Sequence, residues 1–357
     1  MLTHSDARVA PIQTETSEMD SQAESNRHDR KRYGRHPVDN KQKTSLDLLS
    51  PTIFHEPWWL EIASAGKYEE TIVESGGRMV GRLPFFTKRR AFGLKSLEMP
   101  ALTYLLGPAI LPEFATCGAV RSLKAFHIVK KLVNALPPAW HASFRLHADT
   151  GNALAFAAAG FQVSVDQSVE ILADEQEVLW RQMRDKNRNM IRRAREHLTI
   201  RPSTEPGFFS RFYQECLNEA GKQNTYDEAV VEPLVVNASS RQVGRVLVAD
   251  RPDGTPEAAI FTVWDAKREY YLMSARRRTA HSGAINLLIW EALCRAAESG
   301  RIFDMAGIHV LAPNVPNLVL LTGFGGTIVT RLRVARTHPI LKEAFAISSL
   351  FRHKSGL

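Results

Sequence analysis

Cysteine is scarce in this chain: Cys117, Cys216 and Cys294 are the only three in 357 residues, and they lie far apart. An odd, scattered set excludes a disulfide framework, and no Cys/His spacing suited to zinc accompanies it, so no metal site is expected. Long apolar runs are missing too. The opening residues lack the apolar core of a secretion signal, and even "ALTYLLGPAILP" is interrupted by Gly and Pro, far short of the ~20 apolar residues a membrane span needs. There is no phosphate-binding P-loop and no Ser-His-Asp order, which disfavours nucleotide, covalent and metal mechanisms. These absences leave a soluble, cytoplasmic protein, with contact at the inner membrane surface still allowed.

What is present is a globular composition, 44% hydrophobic and 24% charged, with a formal charge of +8 that favours anionic partners. Residues 1–44 are polar and mixed in charge, which predicts a disordered tail. Order begins near "LDLLSPTIFHEPWWLEIA". Two β-rich runs about Gly76 and Gly77 predict a hairpin, followed by a strand in "SLEMPALTYLLG". "AVRSLKAFHIVKKLVNAL" has helical periodicity and stops at Pro137 and Pro138. "HASFRLHAD" alternates as a strand, and "NALAFAAAGFQVSV" reads as a short helix and a further strand.

The second half repeats this order. Three strands in "GRVLVADRPDGTPEAAIFTVWDAKREYYLMSARRR" precede the helix "GAINLLIWEALCRAAESG", the strand "RIFDMAG" and "NLVLLTGFGGTIV". The expected fold class is therefore α+β, built from tandem repeats that are each a mixed, mostly antiparallel sheet flanked by helices. The expected divisions are a tail at 1–44, a first repeat at 45–172, a basic linking helix with the second repeat at 173–340, and a C-terminal tail at 341–357.

The linking segment, "WRQMRDKNRNMIRRAREHL", carries seven Lys or Arg between Arg181 and Arg195 with one acid, Asp185. At ~100° per residue a single helix puts Arg181, Arg184, Arg188, Arg192 and Arg195 in one stripe. Leu179, Met183, Met190, Ala194 and Leu198 form an adjoining apolar stripe that also contains Asn187, whose amide would need partners if buried. The cationic edge reads either as a solvated face or as one turned to an anion.

Taken together, "DKNRNMIRRARE", "GAINLLIWEALCRAAESGRIFDMAG", "GFGG" and the early Trp58/Trp59 with "VGRLPFF" resemble the Fem-like branch of the GNAT acyltransferase superfamily, over roughly Leu46 to His338. The resemblance implies that strands splay apart in the second repeat to receive an acyl donor. The donor's phosphates would sit at the following helix N-terminus, on Ser282, Gly283 and Ala284, near Arg276, Arg277 and Arg278. "RRRTAHSGA" departs from the usual Gly-rich phosphate loop. Leu321 stands where the aminoacyl-transferring relatives have lysine, which weakens transfer from aminoacyl-tRNA.

Acyl transfer needs a base and donors for an oxyanion. Asp304 and His281 are the first candidates for the base, ahead of the acids of "TYDEAVVE" (Asp227, Glu228, Glu232). Tyr226 is the candidate proton donor to a leaving thiolate. Arg184, Arg188, Arg192 and Asp227 are expected on the acceptor side, with the basic helix bordering a cleft between the repeats. The implied activity is N- or O-acyl transfer from acyl-CoA, a co-substrate and not a resident cofactor, to an anionic glycan or lipid-linked envelope precursor. An aminoacyl-tRNA-dependent transferase of peptidoglycan-bridge type and a noncatalytic tandem-GNAT binding module are the alternatives, and DNA is not an expected partner.

Overall fold

The computed structural model describes residues 49–90, 93–115, 119–148, 150, 153–306 and 318–340. Both expected tails, 1–44 and 341–357, lie wholly outside them. The first half gives helix α1 (Pro57–Ala63), strands β1 (Tyr68–Ser75), β2 (Arg78–Arg89), β3 (Lys95–Glu98) and β4 (Ala109–Ile110), and helices α2 (Pro112–Ala115) and α3 (Ala119–Asn134). Strand β5 (His141–Arg145), helix α4 (Ala153–Ala158) and strand β6 (Gln162–Ile171) complete it. The second half gives helices α5 (Gln176–Gln182) and α6 (Asp185–His197), strand β7 (Thr199–Ser203), and helices α7 (Phe208–Glu219) and α8 (Glu228–Ser240). Strands β8 (Gly244–Asp250), β9 (Pro256–Trp264) and β10 (Arg268–Arg276), helix α9 (Ala284–Glu298), strand β11 (Ile302–Asp304), helix α10 (Leu318–Leu321) and strand β12 (Thr327–Thr337) follow.

Local chemistry sets these boundaries. Gly76 and Gly77, at φ +61° and +73°, make the β1–β2 turn. α3 stops ahead of Pro137 and Pro138, which cannot continue a helix. Asp227 caps α8 by accepting the Ala229 N–H at 3.0 Å. The stretch "SLEMPALTYLLG" is extended only to Glu98, because Pro100 withholds a ladder donor and Leu102 turns the chain at φ +55°.

Among the described residues the strands join one 12-stranded sheet in the order β1-β2-β3-β5-β12-β6-β11-β10-β9-β8-β7, with β4 on β2. Only β3–β5 and β10–β11 are parallel; the other pairs are antiparallel. The same motif thus occurs twice: an antiparallel meander, a helix, a parallel strand, a short helix and a last strand. The last strands are exchanged. β6 ends the first half yet pairs with β11, and β12 ends the second half yet pairs with β5. The two then pair with each other from Gln162↔Ala335 to Glu170↔Thr327. The division expected at 172/173 therefore falls in the chain but not in the sheet.

Period-two burial splits the second-half sheet between two cores. Leu247, Ala249, Ala258 and Ile260 face α9 and α6, while Val246, Val248, Ala259, Phe261 and Val263 face α7 and α8. The latter core also takes Phe54, Trp59 and Tyr104 from the first half, with the Phe54 ring 5.3 Å from Trp59 and 4.9 Å from Tyr270.

The single helix expected over 180–198 is two. α5 ends at Gln182, and Met183 and Arg184 are extended (ψ 150° and 140°) before α6 begins. The cause is tertiary: Met183 is buried, and the Arg184 N–H donates to Gly323 O at 3.0 Å, a bond a continuous helix could not make.

Candidate functional site

β10 and β11 are paired only from Arg268↔Ile302 to Tyr270↔Asp304. Beyond that point β10 continues along β9 to Arg276, while the chain after Asp304 turns to β6, where the Met305 N–H donates to Val169 O at 2.9 Å. The strands diverge, and a cleft of about 640 Å³ opens between them. One wall is β10, from Tyr271 to Ser274 and at Arg276; the opposite wall is Met305 and Ala306. Leu320 and Leu321 close one side, and Ser282, Ile285 and Asn286 bring the start of α9 to the lining. His281 takes the Gly283 N–H on Nδ1 and the Ala284 N–H on its carbonyl (3.1 and 3.0 Å), which leaves the Ile285 and Asn286 N–H groups of the first turn without a described partner.

The cleft has a cationic mouth. Arg276 and Lys222 are both exposed there, and no carboxylate or imidazole is among the described lining residues. Asn286 is only 4% exposed, and no described group bonds its side-chain amide. Burial pushes the Tyr271 hydroxyl up to about 12, with Ser274 opposing, so it stays protonated at neutral pH.

The corresponding splay in the first half is filled by the chain itself. Between β3 and β5, the Leu106 N–H donates to Arg145 O at 2.8 Å and the His147 N–H to Leu106 O at 2.9 Å. The backbone edge that no described residue pairs in the second half is satisfied here.

The residues singled out in the sequence scatter. Arg276 and Ser282 line the cleft. Arg277 turns away to α7, pairing with Glu215 at 2.8 Å and Glu219 at 2.5 Å, and the Arg278 N–H donates to Glu219 at 3.1 Å. Gly283 serves packing, since a Cβ there would lie 2.3 Å from Met190 O, and Ala284 is buried as the first residue of α9. His281 is outside the lining; its N–H donates to Glu257 at 2.8 Å and its Nδ1 accepts the Gly283 N–H at 3.1 Å, shaping the turn into α9. Tyr226 is exposed and also outside the lining, and Asp227 is the cap of α8.

Asp304 is fully buried. It accepts from Ser168 Oγ (2.5 Å), the Ala306 N–H (2.8 Å) and Arg331 (2.7 Å). Burial pushes its carboxyl above the usual range, against Arg331, Ser168 and the Ala306 N–H. It is not among the described lining residues, and it acts on the wall: Ala306 holds φ +51° with its N–H fixed by Asp304.

Three arginines of the stripe, Arg188, Arg192 and Arg195, are engaged by the protein. Arg188 Nη1 donates to the carbonyls of Trp180, Arg181 and Met183 (3.2, 2.9 and 2.7 Å), and Nη2 pairs with Asp185. It caps the C-terminus of α5. Arg192 and Arg195 lie 5.6 and 5.8 Å from the Trp180 ring, and Arg184 is exposed at the α5–α6 joint; none of the four lines the cleft. Asn187, expected to find partners, is buried against Gly323 with no described partner for Nδ2. Arg188→Met should therefore lower stability by about 1–3 kcal/mol, by exposing carbonyls to a lost donor. Urea denaturation that leaves the midpoint unchanged would refute the capping role.

Sequence reasoning passed over Lys222, Tyr271, Ser274, Asn286, Met305 and Ala306. Asn286 left a signal, as a lone amide in the otherwise apolar "AINLLIW". The others become neighbours only when β10 and β11 part.

Residues 181–309, which hold β10, α9 and β11, match the acetyltransferase (GNAT) domain family. Among solved structures, FemX is similar at 11% identity over 78% of this chain and 90% of its own, with a TM-score of 0.57. The C-terminal DUF2156 domain of an Agrobacterium fabrum protein assigned as a lysylphosphatidylglycerol synthetase is similar at 12% identity over 86% and 96%, with a TM-score of 0.54. No curated protein matches the chain in sequence. At these identities the likeness is one of fold.

Proposed function

We propose that this chain, a GNAT-superfamily acyltransferase of Fem-like fold, moves an acyl group from an acyl-CoA thioester in the β10–β11 cleft to an amine or hydroxyl of an anionic envelope precursor. The observation that supports this reading is the splay of the second half, which no described strand fills and which ends at the start of α9, beside a first-half splay that is filled. An extended pantetheine arm can pair with the free edge of β10, as a peptide adds to a sheet. The diphosphate then meets Arg276, Lys222 and the first N–H groups of α9.

In the transfer, the acceptor's lone pair forms a bond to the thioester carbonyl carbon, and the C=O electrons move to oxygen. Backbone N–H groups along β10 beyond Tyr270 are the donors for that oxyanion. Its collapse restores C=O and breaks C–S. The departing thiolate takes the proton of Tyr271, which recovers one from the acceptor through water. Tyr271 replaces Tyr226 in this role because it lines the cleft. No carboxylate or imidazole is among the described lining residues, so in this reading the Tyr271 phenolate is the group that takes up the acceptor's proton. No helix among the described residues is long and apolar enough to cross a membrane.

Calorimetric titration with CoA tests the reading. The unaltered protein should bind, and Arg276→Gln should weaken binding about tenfold through a lost charge-assisted phosphate contact. The melting temperature should not move, since an exposed, unpaired arginine contributes little to folding. A protein that fails to bind CoA does not use this donor.

A further inference from the structure

The vertex of the cleft lies where β10 and β11 part, beside Tyr271, Leu272, Met305 and Ala306, while Arg276 and Ser282 stand at the other end with the start of α9. A donor seated with its phosphates at α9 thus points its acyl group to the vertex, where Leu320 and Leu321 complete the wall. Among the described residues, the acids nearest the cleft are engaged elsewhere. Glu215 and Glu219 hold Arg277, and Glu257 holds Arg251 (2.5 Å) and the His281 N–H (2.8 Å). Asp304 is enclosed by Ser168, Ala306 and Arg331. The charges that do face the cleft, Arg276 and Lys222, are cationic.

From this distribution we infer that the transferred group is an uncharged, apolar acyl group and that the site discriminates against an acyl group carrying an ammonium. The inference rests on the donor reading above and adds the chemical class of what is moved. An ammonium at the vertex would leave water for leucine and methionine side chains, with no carboxylate to meet it. Asn286 supplies a neutral amide that can orient a donor by hydrogen bonds, and it cannot neutralise a charge.

The test titrates the full chain with CoA, propionyl-CoA and β-alanyl-CoA, the last two differing by a terminal ammonium. Propionyl-CoA should bind at least about tenfold more tightly than β-alanyl-CoA, reflecting the unpaired charge. Leu321→Asp, which puts a carboxylate in the lining, should reverse that order. β-Alanyl-CoA binding as tightly as propionyl-CoA to the unaltered protein overturns the inference while leaving the donor reading standing. Failure of CoA and both thioesters to bind overturns the donor reading, and the inference with it.

Discussion

Arg331→Met is expected to remove about 3–5 kcal/mol of folding stability, the usual penalty for breaking a buried ion pair from one side. Arg331 is 4% exposed, and its Nη2 reaches both Glu170 Oε1 (2.5 Å) and Asp304 Oδ2 (2.7 Å). The pair joins β12 to β6 and β11 at the seam where the halves exchange strands. Glu170 would keep Arg268 at 2.7 Å, but Asp304, wholly buried, would keep only Ser168 and the Ala306 N–H. Against a typical total of about 5–15 kcal/mol, the loss should be plain in urea denaturation. Adding Asp304→Asn should recover much of it, because the amide removes the unpaired charge and keeps an acceptor for Ala306. A single variant with an unchanged midpoint would show that the seam does not depend on this pair.

The same seam gives the protein an acid limit. Burial works to raise the carboxyls of Asp166 and Glu170, but Arg333 with Arg145, and Arg268 with Arg331, hold both below the ordinary range. A depressed carboxylate contributes stability that is present above the unfolded-state pKa and lost as pH falls through the folded one. Stability should therefore decline as pH drops below about 4. Thermal melts flat from pH 6 to pH 3 would contradict this.

Much of the fold was legible because local chemistry marks it: the Gly76–Gly77 turn, the Pro137 stop, and α9 between Gly283 and Gly300. The place of the cleft was implied by the resemblance, which put a splay in the second repeat. The strand exchange was not legible, since nothing in "QVSVDQSVEI" says whether its partner is β5 or β11. The break at Met183 escaped for the same reason, as it depends on Gly323 O, far along the chain. Asp304 read as a base because its partner Arg331 lies beyond another helix. Of three consecutive arginines, only Arg276 is among the described lining residues; β10 ends there, and the acids of α7 hold Arg277 and the Arg278 N–H, contacts that exist only in the packed fold.

Gly283→Ala is expected to damage stability and donor binding together. Gly283 has φ −92°, a conformation alanine tolerates, so backbone freedom is not the issue. The issue is approach: a Cβ would lie 2.3 Å from Met190 O and 3.2 Å from the Ala194 Cβ. The atom in the way is backbone of α6, which cannot swing aside as a flexible side chain could, so the helices must separate. Overpacking of this kind should cost about 3 kcal/mol, the upper part of the usual range. Moving α6 from α9 also moves Ser282, Ile285 and Asn286, which bring the start of α9 into the cleft. CoA affinity should fall with the melting temperature. Ser282→Ala, at an exposed neighbour, should leave the melting temperature in place. A Gly283→Ala protein with unaltered stability would mean that α6 does not press on the start of α9. One that is destabilised but binds CoA at full affinity would mean that this helix start does not hold the donor.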